Sequence, residues 1–95
     1  MVNVYDGEKI VGRVNSNTNL DTWDGHNYCR GIGQHLGITK TKKGFVLIHT
    51  TQWIGSKNYA ELISIEQARQ EVAEAGADEL IKKWPELALP DMDEV

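Results

Sequence analysis

Residues 33–53 read GQHLGITKTKKGFVLIHTTQW and contain the most apolar run of the chain. The run Phe45–Ile48 is aliphatic and β-branched, which favours a strand that is covered on both faces. Residues 34–39 alternate in polarity, as a strand with one buried face does. Between them, Lys42–Gly44 predicts a three-residue loop in which Gly44 has a positive φ. We therefore predict a β-hairpin at the centre of the fold.

The length of this loop predicts the register of the two strands. A three-residue loop places Thr41 opposite Phe45 and Ile38 opposite Ile48. One face of the hairpin then carries four aliphatic side chains, Leu36, Ile38, Val46 and Ile48. The other face carries His35, Phe45, Leu47, His49 and Thr51. A slip of one residue would move one strand's whole set of side chains to the opposite face.

The chain before and after this hairpin adds three strands and two helices. Residues 2–14 predict a first hairpin that turns at Asp6-Gly7, with Gly12 marking either a bulge or a close backbone approach in its second strand. Residues 59–63 form a short strand. Ser64 then begins a helix with a capping box, and Gly76 ends this helix. Residues 78–84 form a second, shorter helix.

These elements define an α+β fold. We predict a twisted antiparallel sheet of about five strands, made of two N-terminal hairpins and a short strand, with a C-terminal helical hairpin on one face. Residues 1–89 form a single domain, and residues 90–95 form an acidic, mobile tail.

Composition favours a cytoplasmic protein that does not enter membranes. The 95 residues include one cysteine, which cannot form an internal disulfide. No apolar run approaches the length of about 20 residues that a membrane-spanning helix needs. The N-terminus lacks the basic and apolar segments of a signal peptide.

Charge is distributed unevenly along the chain. Residues 1–57 carry seven Lys and Arg against four Asp and Glu, whereas residues 58–95 carry three against ten. The strand-rich half is therefore mildly basic and the helical half is acidic. The first interpretation is a solvated helical surface; the second is that the basic half meets an anionic partner.

The function that we predict is that of a small, non-catalytic binding or accessory module. Helices on only one face of the sheet would leave the other face uncovered, and an apolar face of this kind often pairs with a protein partner or a second copy. The predicted working surface combines this face with the loop 15–25. The predicted partner-binding residues are His35, Phe45, Leu47, His49, Trp53 and Trp23.

Nucleic-acid binding is the first alternative. Lysines at a hairpin tip can neutralise phosphates. The overall isoelectric point near 5.2 argues against it, because nucleic-acid-binding domains are usually basic. The residues concerned are Arg30, Lys40, Lys42 and Lys43.

A zinc site is the second alternative. All three histidines and the only cysteine fall within residues 26–49. Four nitrogen and sulfur ligands suit tetrahedral zinc. One thiolate is a weak anchor, however, so we predict no resident cofactor. The candidate ligands are His26, Cys29, His35 and His49.

Overall fold

The computed structural model describes residues 1–20, 34–51, 55 and 57–89. The C-terminal residues 90–95, predicted to form a tail, lie outside this part of the chain. The described residues form five strands and two α-helices followed by a short 3-10 helix. Their bounds are β1 Val2–Asp6, β2 Lys9–Val14, β3 Gln34–Thr41, β4 Gly44–Thr51, β5 Tyr59–Leu62, α1 Ile65–Ala75, α2 Asp78–Lys83 and the 3-10 helix Pro85–Leu87.

The strands form one five-stranded sheet in the order β2-β1-β5-β4-β3. Three of the pairings are antiparallel, and the pairing of β1 with β5 is parallel. The predicted α+β class, the two hairpins and the C-terminal helices are confirmed, and the sheet is mixed because β1 lies beside β5. Within the described residues, no helix is long and apolar enough to span a membrane.

The register of the central hairpin differs from the prediction by one residue. Thr41 pairs with Gly44, which leaves a two-residue turn, and Ile38 therefore pairs with Leu47. The Thr41 hydroxyl donates to the Gly44 carbonyl at 2.8 Å and accepts from the Lys43 amide at 3.1 Å. These bonds fix the shorter turn, so the predicted register is wrong. The positive φ of Gly44 is confirmed.

Because of this register, each face of the sheet has its own core. The helix face packs β3 and β4 against α1, α2 and the 3-10 helix; its buried strand residues are Leu36, Ile38, Phe45 and Leu47. The opposite face has a second cluster, formed by Val2, Val4, Val46, Ile48 and Ala60. The prediction that the face opposite the helices is uncovered is therefore wrong.

The caps of α1 follow the sequence signals. The Ser64 hydroxyl accepts from the Gln67 amide at 3.1 Å, and Gly76 ends the helix in the left-handed conformation. Ala68 and Val72 are fully buried against the sheet. Glu66 and Glu74 are exposed on α1, and Glu71 is partly buried.

The segment after β2 crosses to the far edge of the sheet. There the Leu20 amide donates to the Leu36 carbonyl, and Leu20 is buried in the helix-face core. A Cβ on Gly37 would overlap Asn17, so this close approach requires glycine. Residues 15–20, the described part of the predicted loop 15–25, therefore lie against β3.

Candidate functional site

The helices cover only the β3–β4 side of the helix face. Towards β1 and β2, among the described residues, large side chains remain accessible on this face: Ile10 is 52% exposed and Tyr59 is 40% exposed. The boundary between the covered and accessible parts runs along β5 and the end of β4. The candidate site lies at this boundary.

Three rings form a row across neighbouring strands at the boundary. Tyr59 on β5 stacks on His49 of β4, with ring centroids 4.5 Å apart and planes inclined by 12°. Tyr5 on β1 meets Tyr59 edge to face at 6.5 Å. The row follows from the pairing of His49 with Tyr59 and from the adjacency of β1 and β5. Aromatic faces in this arrangement can contact an apolar or cationic group.

A carboxylate lies beside the row. His49 Nε2 is 2.7 Å from Glu61 Oε2, and both side chains are partly accessible. Burial raises the pKa of the Tyr59 hydroxyl above its ordinary value, and the negative charge of Glu61 raises it further. Tyr59 is therefore a neutral donor at physiological pH, and Glu61 keeps its second oxygen as an acceptor.

A groove of about 540 Å³ runs between this row and α1. Its volume falls in the range of about 300–1,000 Å³ that is typical of ligand sites. Leu36 and Leu47 supply apolar surface, and His49 and Tyr59 supply an aromatic wall. The remaining described lining residues are Gln34, Thr50, Thr51, Lys57, Glu61, Gln67 and Glu71.

The charges of the groove are mainly acidic. Glu61 and Glu71 outweigh Lys57 among the described lining residues. The groove also borders α1, which belongs to the acidic half of the chain. A groove with apolar, aromatic and acidic surface can accommodate a basic side chain with a long aliphatic stem.

The predicted partner-binding residues do not share one surface. Phe45 and Leu47 are buried on the helix face, so the expectation that they line an uncovered face is wrong. His35 is 5% exposed and lies on the opposite face. His49 lies in the ring row, and Leu47, although buried, contributes to the lining of the groove. Trp23 and Trp53 lie outside the described residues.

The predicted zinc ligands are divided between the faces of the sheet. His49 pairs with Leu36, so the neighbouring His35 points to the other face. The expectation that these two histidines share a face is wrong, and they cannot both bind one zinc ion. His26 and Cys29 lie outside the described residues. No group of metal-binding side chains converges within the part of the chain that the structure describes.

The lysines of the nucleic-acid alternative also separate. Lys40 Nζ is 2.6 Å from Glu86 Oε2, and it lies 5.8 Å from the centre of the Phe45 ring. Lys40 therefore helps to hold the 3-10 helix on the helix face. Lys42 and Lys43 are exposed in the turn between β3 and β4. Arg30 lies outside the described residues.

Comparisons with known proteins do not identify a relative: no protein-family model, curated protein or solved structure matches the chain. The functional inference therefore rests on the groove. Sequence reasoning missed Tyr5 and Glu61 as members of a site. The alternation of residues 59–62 places Tyr59 and Glu61 on one side of a strand, and this was the available signal.

Proposed function

We propose that the protein is a non-catalytic binding module that binds a segment of a partner protein through an arginine or lysine side chain. The segment lies in the groove between β5 and α1. The observation that supports this proposal is the row of Tyr5, Tyr59 and His49 with Glu61 beside it. The prediction of a cytoplasmic location, made from the sequence, is part of the proposal.

The chemistry of the groove suits a guanidinium or ammonium group. Tyr59 is 40% exposed, and a cation that contacts its ring gains about 0.5–2 kcal/mol from the cation–π interaction. The carboxylate of Glu61 supplies a counter-charge within the same groove. Leu36 and Leu47 provide apolar surface for the aliphatic stem of the bound side chain.

The proposal is tested by titrating the isotope-labelled protein with a short blocked peptide that has a central arginine flanked by glycines. NMR shifts are expected at His49, Tyr59 and Glu61. Tyr59→Ala should weaken binding about two- to thirtyfold through the lost cation–π contact. Glu61→Gln should weaken it by up to about fivefold, because a partly exposed ion pair contributes about 0.2–1 kcal/mol.

Two controls separate a specific site from general attraction to an acidic protein. The matched peptide has glutamine in place of arginine and should leave the groove unshifted. The matched variant is Glu66→Gln, since Glu66 is an exposed acid at the start of α1 that does not line the groove. Equal losses from Glu66→Gln and Glu61→Gln would overturn the proposal, as would unchanged binding by Tyr59→Ala.

A further inference from the structure

A second cavity lies at the opposite face of the sheet, between β2 and the turn that joins β3 and β4. Its volume is about 130 Å³. β2 lies at one edge of the sheet, and the turn between β3 and β4 lies near the other edge. Both can border one cavity because the sheet curves. The β-bulge at the pairing of β1 with β2 adds to this curvature, since bulges increase local twist.

Aliphatic side chains form the floor of this cavity. Val4 is buried, and Val11, Val14 and Leu62 are partly buried against the core of the same face. All four line the cavity, and Gly12 leaves open space beside them. A cavity of about 150 Å³ with aliphatic walls is large enough for benzene. The cavity here therefore suits a short hydrocarbon chain.

Cationic residues complete the lining. Lys42 and Lys43 lie in the turn, and Arg13 lies on β2; the described lining contains no acidic residue. Among the described residues, the ion pairs are Lys40 with Glu86 and His49 with Glu61. Arg13, Lys42 and Lys43 therefore form no ion pair within this part of the chain. This local charge contrasts with the net charge of −4 for the whole chain.

The three cations are not equivalent. Arg13 pairs with Asn3 on β1. Side chains alternate along a strand, and Val2 and Val4, on either side of Asn3, point to the face that carries the cavity. The Cβ atoms of Asn3 and Arg13 therefore point to the helix face. The guanidinium of Arg13 can reach the cavity only around the outer edge of β2. The two turn lysines are therefore the principal candidates to meet an anion there.

We propose that this cavity binds a short aliphatic carboxylate. The hydrocarbon chain packs on Val11, Val14 and Leu62, and the carboxylate pairs with the ammonium groups of Lys42 and Lys43. An apolar floor beneath unpaired cations distinguishes this site from a phosphate-binding surface, which needs no apolar floor. The ligand class is a carboxylic acid of about six carbons, from the volume comparison with benzene.

The experiment is a titration with sodium hexanoate, followed by the NMR signals of the valine and leucine methyl groups. The Val11, Val14 and Leu62 methyl signals are expected to shift. Acetate should bind more weakly, by about fourfold for each methylene removed. Hexanol, which has the chain without the charge, should also bind more weakly than hexanoate.

The double variant Lys42→Gln/Lys43→Gln should weaken hexanoate binding by about two- to thirtyfold, because each exposed ion pair contributes about 0.2–1 kcal/mol. The matched control is Lys82→Gln, because Lys82 is an exposed lysine on α2 that does not line this cavity. Both substitutions are at the surface, and thermal melting checks that the variants fold. Equal binding by the double variant and the unmodified protein would overturn the proposal.

Two further ligands define the source of the carboxylate and exclude a different partner. N-acetylvaline represents the carboxyl terminus of a peptide; tighter binding than hexanoate would support the carboxylate site and assign it to peptide ends. A short DNA duplex represents polyphosphate partners. If the duplex shifts Lys42 and Lys43 while hexanoate leaves the methyl signals unchanged, the turn binds nucleic acid and the proposal is overturned.

Discussion

The side chain of Asn19 forms hydrogen bonds with both backbone polar groups of Ile38. Its Nδ2 donates to the Ile38 carbonyl at 3.0 Å, and its Oδ1 accepts from the Ile38 amide at 2.7 Å. The amide of Asn19 thus occupies the place of a neighbouring strand on the outer edge of β3. An edge strand with free backbone groups can pair with a strand of another chain. The contact with Asn19 occupies these groups at Ile38 and so opposes such pairing.

Removal of this contact should reduce stability. Asn19→Ala should lower the free energy of unfolding by about 1–3 kcal/mol, because two hydrogen bonds contribute about 0.5–1.5 kcal/mol each. Urea unfolding measures the change. Asn15→Ala is the control, since Asn15 is exposed in the same segment. Matching midpoints for the two variants would show that Asn19 does not protect the edge.

Gly37 tests the path of the segment before β3. Gly37→Ala should destabilise the protein by about 1–3 kcal/mol, because its Cβ would overlap Asn17 and force the segment outward. Thermal or urea unfolding provides the measurement. Gly12→Ala is the matched control, since a Cβ there meets no atom within 4 Å and should leave stability nearly unchanged.

The pKa of Tyr59 should respond to Glu61. Glu61→Gln removes the smaller of the two causes of the raised pKa, so the pKa should fall but stay above its ordinary value because burial remains. Titration of the tyrosine ring signals by NMR follows this directly. Glu66→Gln should leave the pKa of Tyr59 unchanged, and a fall of equal size there would contradict the assigned cause.

The same shift predicts how stability changes at high pH. A raised folded-state pKa favours the neutral hydroxyl in the folded protein, so its stabilising effect is present below the unfolded-state pKa of about 10. The effect is lost as the pH rises through the folded-state pKa. In the Glu61→Gln variant this loss should be smaller, as measured by urea unfolding between pH 8 and 11 or so.

Lys40 should control the acidity of Glu86. The hydrogen bond from Lys40 is the largest cause that lowers the pKa of the Glu86 carboxyl, and a backbone hydrogen bond adds to it. Lys40→Gln should therefore raise this pKa. The stabilising effect is present above the unfolded-state pKa and is lost as the pH falls through the lower folded-state pKa.

Carboxyl NMR signals between pH 2 and 6 or so would measure this titration. Lys82→Gln removes a lysine at the end of α2 and should leave Glu86 unchanged. An unchanged Glu86 titration in Lys40→Gln would show that the ion pair with Lys40 does not persist in solution. The same titration tests whether the 3-10 helix is docked on the sheet.

The sequence was informative where a local signal has one structural solution. The cap of α1 at Ser64 and its end at Gly76 both occur where the pattern predicts them. Gly12 marks the bulge, because it pairs with Val4 where the register shifts. These features depend on a few neighbouring residues, and the fold class follows from them.

The register could not be predicted, because Phe45–Ile48 is apolar on both sides. The predicted register forms a single core on one face, from Leu36, Ile38, Val46 and Ile48. The protein instead has two cores, one on each face of the sheet. The second core forms because β1 and β5 bring Val4 and Ala60 beside Ile48. That partnership joins distant segments, and no local pattern indicates it.

The candidate site was only partly accessible to sequence reasoning for the same reason. His49 was selected as a candidate, whereas Glu61 joins it through the pairing of β4 with β5, and Tyr5 joins through the parallel pairing of β1 with β5. Phe45 and Leu47 were assigned to an exposed surface because the predicted register placed them on the other face from Leu36 and Ile38, whereas all four lie on the helix face. The error in register thus became an error in the site.

The parallel pairing of β1 with β5 also bears on the order of events during synthesis. Val4 emerges from the ribosome 56 residues before its partner Ala60. At a synthesis rate of about 5–20 residues per second, β5 is made several seconds after the hairpin of β1 and β2 with which it pairs. A two-stranded hairpin alone is only marginally stable. β1 and β2 are therefore made several seconds before β5, the strand that joins them to the rest of the sheet.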